Sequence, residues 1–186
     1  MIGYALCGSF CTLERSVAEM KRLVELGYEV QPIMSEHVYS LKTRFIDPEV
    51  LRSRVEELTK RPIIHTIAEA EPLGPKTPLD ALIIAPCTGN TLAKIAGGIT
   101  DTAVTMATKA HLRCDRPTLI ALSSNDSLSQ NLQNISLLLL RKEVYFVPMK
   151  QDDPEKKPHS LVADFSKIPS ALTAMLEKKQ LRPLFL

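Results

Sequence analysis

Five short apolar runs, "MIGYALC", "YEVQPIM", Leu82 to Ala85, Pro117 to Leu122 and Val144 to Val147, alternate along the chain with stretches of helical spacing. A strand that rejoins its own sheet after a helix runs parallel to its neighbour, with the crossover helix packed on one face. Repetition of that unit covers both faces of the sheet. The pattern therefore predicts an α/β fold, a three-layer α/β/α sandwich with a parallel sheet, flavodoxin-like or Rossmann-like.

The first run ends in "GSFCT", after which Leu13, Val17, Met20, Leu23 and Val24 keep helical spacing until Gly27 stops it. Asp47, Pro48 and Glu49 supply an N-cap, a first-turn proline and a first-turn acid ahead of Val50, Leu51, Val55 and Leu58. Further helices are expected over Thr91 to Ile99, Asp101 to Leu112 and roughly Leu128 to Arg141. The segments Glu69 to Pro78 and Pro148 to Ser160 are rich in proline and charge and read as loops. A chain of 186 residues buries enough surface to form one domain over 1–186, here with a C-terminal loop and helix extension from about residue 148.

Composition removes several classes of function. The net charge of +2 arises from interspersed signs, and the nine aromatics include no Trp, which argues against a nucleic-acid platform. The apolar runs are too short for membrane spans, and the N-terminus lacks the cationic lead of a signal peptide, so the expectation is a cytoplasmic protein. Cys7, Cys11, Cys87 and Cys114 form no CxxC pair and no zinc spacing, so neither disulfides nor a metal is expected.

In open parallel sheets ligands bind outside the carboxyl ends of the strands, which selects Gly8 to Thr12, Ser35 to His37, Pro86 to Thr91 and Ser123 to Asp126. "CGSFCT" offers a glycine, hydroxyls and exposed amides at a helix start, suited to an anion; a tight turn capped by Thr12 explains it equally well. No GxGxxG occurs in the chain, so a dinucleotide fingerprint is missing. The stretch "IIAPCTGNTLAKIAGGITDT" is expected to break as a strand at Pro86 and continue as a helix with almost no bulk. Its small residues admit a flat ligand or close helix packing.

"PCTGNTLAKIAGGITD" resembles the PASANT motif of the FMN-dependent cysteine decarboxylase-like flavoproteins, the family typified by phosphopantothenoylcysteine decarboxylase and the lantibiotic cysteine decarboxylases. With "GSFCT" and Ser35, the resemblance runs from Ile2 to roughly Asp126. It implies FMN binding by Gly8, Ser9, Thr12, Ser35, Pro86, Thr88, Asn90 and Thr91, with Asn90 and Lys94 toward the substrate. It also implies a homo-oligomer, a trimer or dodecamer, which would cover the small-residue surface of Thr91 to Gly98.

Further segments, "EAEPLGPK", "MATKAHLR", "SSND", "YFVPMKQDDP" and "KPHSLVADF", are similar to a two-subunit branch of that family. That likeness implies a B-type subunit acting with a partner A subunit, which oxidises a dihydro-level precursor to a pyridine dicarboxylate in the mother cell of a sporulating bacterium. The chain departs from the decarboxylases where their catalytic His precedes the motif strand: Pro72 stands there, and His65 lies too early. Their Met-Asn-rich clamp loop is here "SSNDSL". No catalytic base is therefore named. Without a dinucleotide fingerprint, NADP is assigned to the partner.

A small dicarboxylate needs cations or amide donors, and Lys94, Lys109, Arg113 and Lys150 fall near expected strand ends or in the late loop. Surface charge explains each of them as well. His37, His65 and His111 read as surface or packing residues. Cys11 and Cys87 flank the two helix starts, where a dipole lowers a thiol pKa, unless they simply fill space.

Overall fold

The computed structural model describes residues 1–186. Strands β1 (Ile2–Leu6), β2 (Val30–Met34), β3 (Ala81–Cys87) and β4 (Thr118–Ser124) form the parallel centre of the sheet in the order β2-β1-β3-β4. Strand β5 (Val144–Phe146) extends it in parallel from the first half of β4. Two short strands depart from this parallel order. Strand β7 (Leu161–Ala163) runs antiparallel to the end of β4, and β6 (Met149–Lys150) runs antiparallel to β7. The cause is the connection: a loop without a crossover helix joins β6 to β7, and such a link returns the chain antiparallel.

Alternation of side chains divides the core into two layers. Tyr4, Leu6, Ile83, Ala85, Leu119 and Ala121 face α1 (Leu13–Glu25), α3 (Pro48–Thr59) and α8 (Ile168–Leu176). Ala5, Cys7, Leu82, Ile84, Ile120 and Leu122 face α5 (Gly89–Ala96), α6 (Ala103–Leu112) and α7 (Leu132–Leu139). Helix α3 starts as its sequence dictates, with the Asp47 side chain accepting from the Glu49 amide and Pro48 in the first turn. Gly27 follows α1 at φ +89°, a conformation that favours glycine.

Three local expectations are corrected. Strand β3 does not break at Pro86 but runs through it to Cys87. Its register against β4 shifts between Ile84 and Cys87, which accommodates a residue without an N–H, and the Pro86 carbonyl still accepts from the Cys7 amide at 3.2 Å. The segment read as a loop from Glu69 overlaps α4 (Ile67–Ala70) and a 3-10 turn at Glu71–Leu73, nucleated by a capping box between Thr66 and Glu69. The late loop contains β6 within its first residues. A short helix, α2 (Glu36–Ser40), also fills the polar segment after β2.

The outer edge of β5 is closed by a side chain. The Phe146 amide donates to Gln180 Oε1 at 2.9 Å, and Gln180 Nε2 donates back to the Phe146 carbonyl at 2.7 Å. A carboxamide thus substitutes for a neighbouring strand at an otherwise unpaired edge.

Candidate functional site

At the carboxyl ends of β1, β3 and β4 lies a cavity of about 880 Å³. It gathers Gly8 to Thr12, Thr88 to Asn90 and Ser123 to Asp126, three of the four segments selected from the sequence. Ser35, Glu36 and His37 do not line it.

The floor is a cluster of hydroxyls. Ser9 Oγ and Ser123 Oγ are 2.9 Å apart, and Thr12 Oγ1 lies 3.0 Å from Ser9 Oγ and 3.4 Å from Ser123 Oγ. Thr12 Oγ1 also donates to the Ser9 carbonyl at 2.9 Å. The Ser9 amide is already committed to the Cys7 carbonyl at 2.8 Å, whereas the Gly8 amide has no acceptor in the protein. Ser35, one strand over, is buried, and its Oγ has no partner.

Thr88, not Asn90, caps α5. Its side chain accepts from the Thr91 amide at 3.1 Å, and its hydroxyl donates to Thr91 Oγ1 at 3.0 Å. Asn90 is left exposed at the cavity wall. Gly89 is small for a reason internal to the protein: a Cβ there would meet Asn131 Nδ2 and Ser124 Oγ at 2.6 Å and Asp126 Oδ1 at 2.7 Å. Those groups form a network. Ser124 Oγ donates to Asp126 Oδ1, Asn131 Nδ2 donates to Asp126 Oδ2 at 2.9 Å, and Asn134 Nδ2 donates to Asn131 Oδ1 at 2.9 Å.

The late loop closes a second wall, through residues other than the Lys150 expected there. Asp152, Lys157, Ser160 and Val162 line the cavity, and the Leu128 amide ties the loop to the segment after β4 through the His159 carbonyl at 2.9 Å. Lys157 Nζ donates to Asp152 Oδ2 at 2.7 Å, and Ser160 Oγ donates to Oδ1. The hydrogen bond from Lys157, then that from Ser160, holds the Asp152 carboxyl below the usual range. Arg15, Arg44 and Phe45 also reach the cavity, and no motif had marked them.

The remaining candidates lie elsewhere. Lys94 pairs with Asp101 at 2.8 Å, Arg113 with Glu71 at 3.4 Å, and Lys109 and Lys150 are exposed away from the cavity. Pro86 and Thr91 are buried beneath it, fixing the strand end and helix start. His65 stacks on Tyr39 with ring centroids 3.7 Å apart, and His111 is buried in α6. Pro72 sits half-buried in the 3-10 turn beside α6. Burial pushes the Cys87 thiol well up and the Cys7 thiol up to about 11, so desolvation overrides the helix dipole at Cys87. Cys11 is exposed at the cavity rim.

A mostly parallel sheet with hydroxyls, a capped helix start and a polar loop at its carboxyl ends is the architecture of a flavin-type Rossmann-like domain. The chain matches the Flavoprotein family model over residues 1–172 and belongs to that family. It is similar to the dipicolinate synthase B subunit of Bacillus subtilis (strain 168), with 42% identity over 183 residues, 98% of this chain and 92% of that protein. The crystal structure of the dipicolinate synthase B subunit from Bacillus halodurans C matches with a TM-score of 0.91 and 40% identity, over 100% of this chain and 95% of the other. The FMN-dependent cysteine decarboxylase SpaF shares the fold, with a TM-score of 0.70 and 22% identity over 95% of each chain. No helix is long and apolar enough to cross a membrane.

Proposed function

We propose that the chain acts as the B subunit of a dipicolinate synthase, joining an A subunit to oxidise a dihydrodipicolinate-level precursor to dipicolinate in the cytoplasm of the mother cell during sporulation. The observation that carries this reading is near-full-length similarity to dipicolinate synthase B subunits, extending through the late loop that walls the cavity. Aromatisation removes one hydride and one proton from the dihydropyridine ring, so a flavin or a nicotinamide takes the electron pair and the proton leaves to a base or solvent. NADP is assigned to the A subunit.

The cavity residues fit FMN. Hydroxyls of Ser9 and Thr12 and the free Gly8 amide suit a phosphate. The orphaned Ser35 hydroxyl is buried off the cavity and joins them only if its segment shifts. Thr88 and Asn90 face the space that a flat ring and a substrate would share, over the base set by Pro86 and Thr91. Bound FMN supplies a two-electron acceptor. Lys94, paired with Asp101 and off the cavity lining, has no part in this site as it stands.

A second reading is a non-catalytic module that binds and activates the A subunit. No histidine lines the cavity, and both of its carboxylates, Asp126 and Asp152, are engaged by neighbours. The same observation makes an independent FMN decarboxylase the weakest reading. Visible absorbance of the purified chain, heat release of flavin, and dipicolinate formation with and without the A subunit separate the three. A yellow chain required for synthesis supports the first; a colourless chain that still stimulates the A subunit supports the second. Dipicolinate formation by the A subunit that is indifferent to this chain would sink both. A homo-oligomer is part of the proposal, and sedimentation showing only a 20.7 kDa species would remove it.

A further inference from the structure

We infer that Arg15 and Arg44 form a carboxylate-recognition pair, and that the cavity takes a small planar dicarboxylate beside the hydroxyl floor. The inference rests on the reading of this cavity as the synthase site. Five charged side chains line the cavity, and their pairing decides which are available. Lys157 and Asp152 neutralise each other at 2.7 Å. Asp126 is engaged by Ser124 and Asn131. Arg15 and Arg44 make no ion pair.

Each guanidinium is instead held on an aromatic face. Arg15 Cζ lies 5.4 Å from the Phe165 ring centroid, and Arg44 Cζ lies 4.7 Å from that of Phe45. A cation–π contact of this kind restrains the side chain without using its N–H donors, which stay open to donate to a carboxylate in a two-pronged contact. A carboxylate salt bridge within the protein would have consumed those donors. The two arginines come from separate elements, Arg15 from the first turn of α1 and Arg44 from the segment between α2 and α3. Two unpaired guanidinium forks on one cavity match the two carboxylates of a dicarboxylate in number and charge. The hydroxyls of Ser9, Thr12 and Ser123 remain for a phosphate.

Guanidinium recognition also serves phosphate, so the test separates a free dicarboxylate from the phosphate of FMN. Titration calorimetry on the purified full chain, with FMN present and absent, uses dipicolinate and picolinate as probes. Flavin absorbance measures FMN binding by the same variants. Arg15→Gln and Arg44→Gln are each expected to weaken dipicolinate by about ten- to a hundred-fold and to leave FMN affinity within about two-fold. Picolinate, with one carboxylate, is expected to bind the parent more weakly and to depend on one arginine more than the other. Arg→Lys at either position keeps the charge and loses the fork, and should recover only part of the affinity.

Loss of FMN with dipicolinate retained would overturn the inference and assign the arginines to phosphate. Absence of dipicolinate binding to the parent at millimolar concentration, in both flavin states, would overturn it too. These readouts are of binding by this chain alone. They therefore stand or fall separately from synthesis with the A subunit, whose failure would count against the proposed function instead.

Discussion

The Asn131 carboxamide occupies the space that a side chain on Gly89 would need: a Cβ at that glycine meets Asn131 Nδ2 at 2.6 Å. Gly89→Ala must therefore push on Asn131, Ser124 and Asp126, three groups already joined by hydrogen bonds. Overpacking of this kind costs about 1–3 kcal/mol. The expected outcome is a lower denaturation midpoint together with weaker ligand binding, and an unchanged midpoint would show that the network gives way freely.

Thr88 caps α5 as well as facing the cavity, whereas Asn90 caps nothing and only faces the cavity. Thr88→Ala removes the cap of α5 and is expected to cost about 1 kcal/mol of stability. Asn90→Ala is expected to leave the melting temperature of the ligand-free protein nearly unchanged and to weaken ligand binding by about 1–3 kcal/mol. Thermal melts and ligand titrations on both variants check this pair. A stability loss at Asn90 with dipicolinate synthesis intact would remove it from the site.

Ser9→Asp sets a negative charge on the hydroxyl floor, where Ser9 Oγ now lies 2.9 Å from Ser123 Oγ. FMN, or inorganic phosphate in its place, should then bind at least about ten-fold more weakly, since the donors there suit an anion. Circular dichroism should show an intact sheet. Equal binding by variant and parent would exclude Ser9 as a phosphate contact.

His111 predicts a dependence on pH. Burial, the largest cause, lowers its imidazole to about 4, while Nε2 donates to the Pro117 carbonyl at 2.9 Å and Nδ1 has no partner. The fold holds the neutral form, whereas the unfolded chain takes up a proton below about pH 6.5. Stability from this residue is thus complete above that pH and falls as pH drops toward 4, by on the order of 3 kcal/mol. Urea midpoints at pH 7 and pH 4.5 should differ less in His111→Gln than in the parent. Identical differences would mean that His111 already exchanges protons in the folded state.

The sheet and its helices were legible in the sequence because their signals are local. Apolar alternation, the Asp47-Pro48-Glu49 helix start and the stop at Gly27 each depend on neighbours a few residues away. Three of the four segments picked out by the rule for strand ends line the cavity, and the motif around Asn90 carried the family. The passage of β3 through Pro86 was not legible, since it depends on the register of β4 more than thirty residues later.

Which charges are free was decided only by the tertiary structure. Lys94 and Arg113 looked available until the fold brought them to Asp101 and Glu71, while Arg15 and Arg44 carried no motif and emerged at the cavity without an ion-pair partner. Gly89 belongs to a stretch whose small residues admitted either a ligand or close packing, and the fold sets the SSND segment and Asn131 against it. Sequence spacing fixes which residues share a helix or strand face. Pairing between charges on different elements depends on distances of a few ångströms that arise only when the layers close, because Coulomb and hydrogen-bond energies fall off over that range.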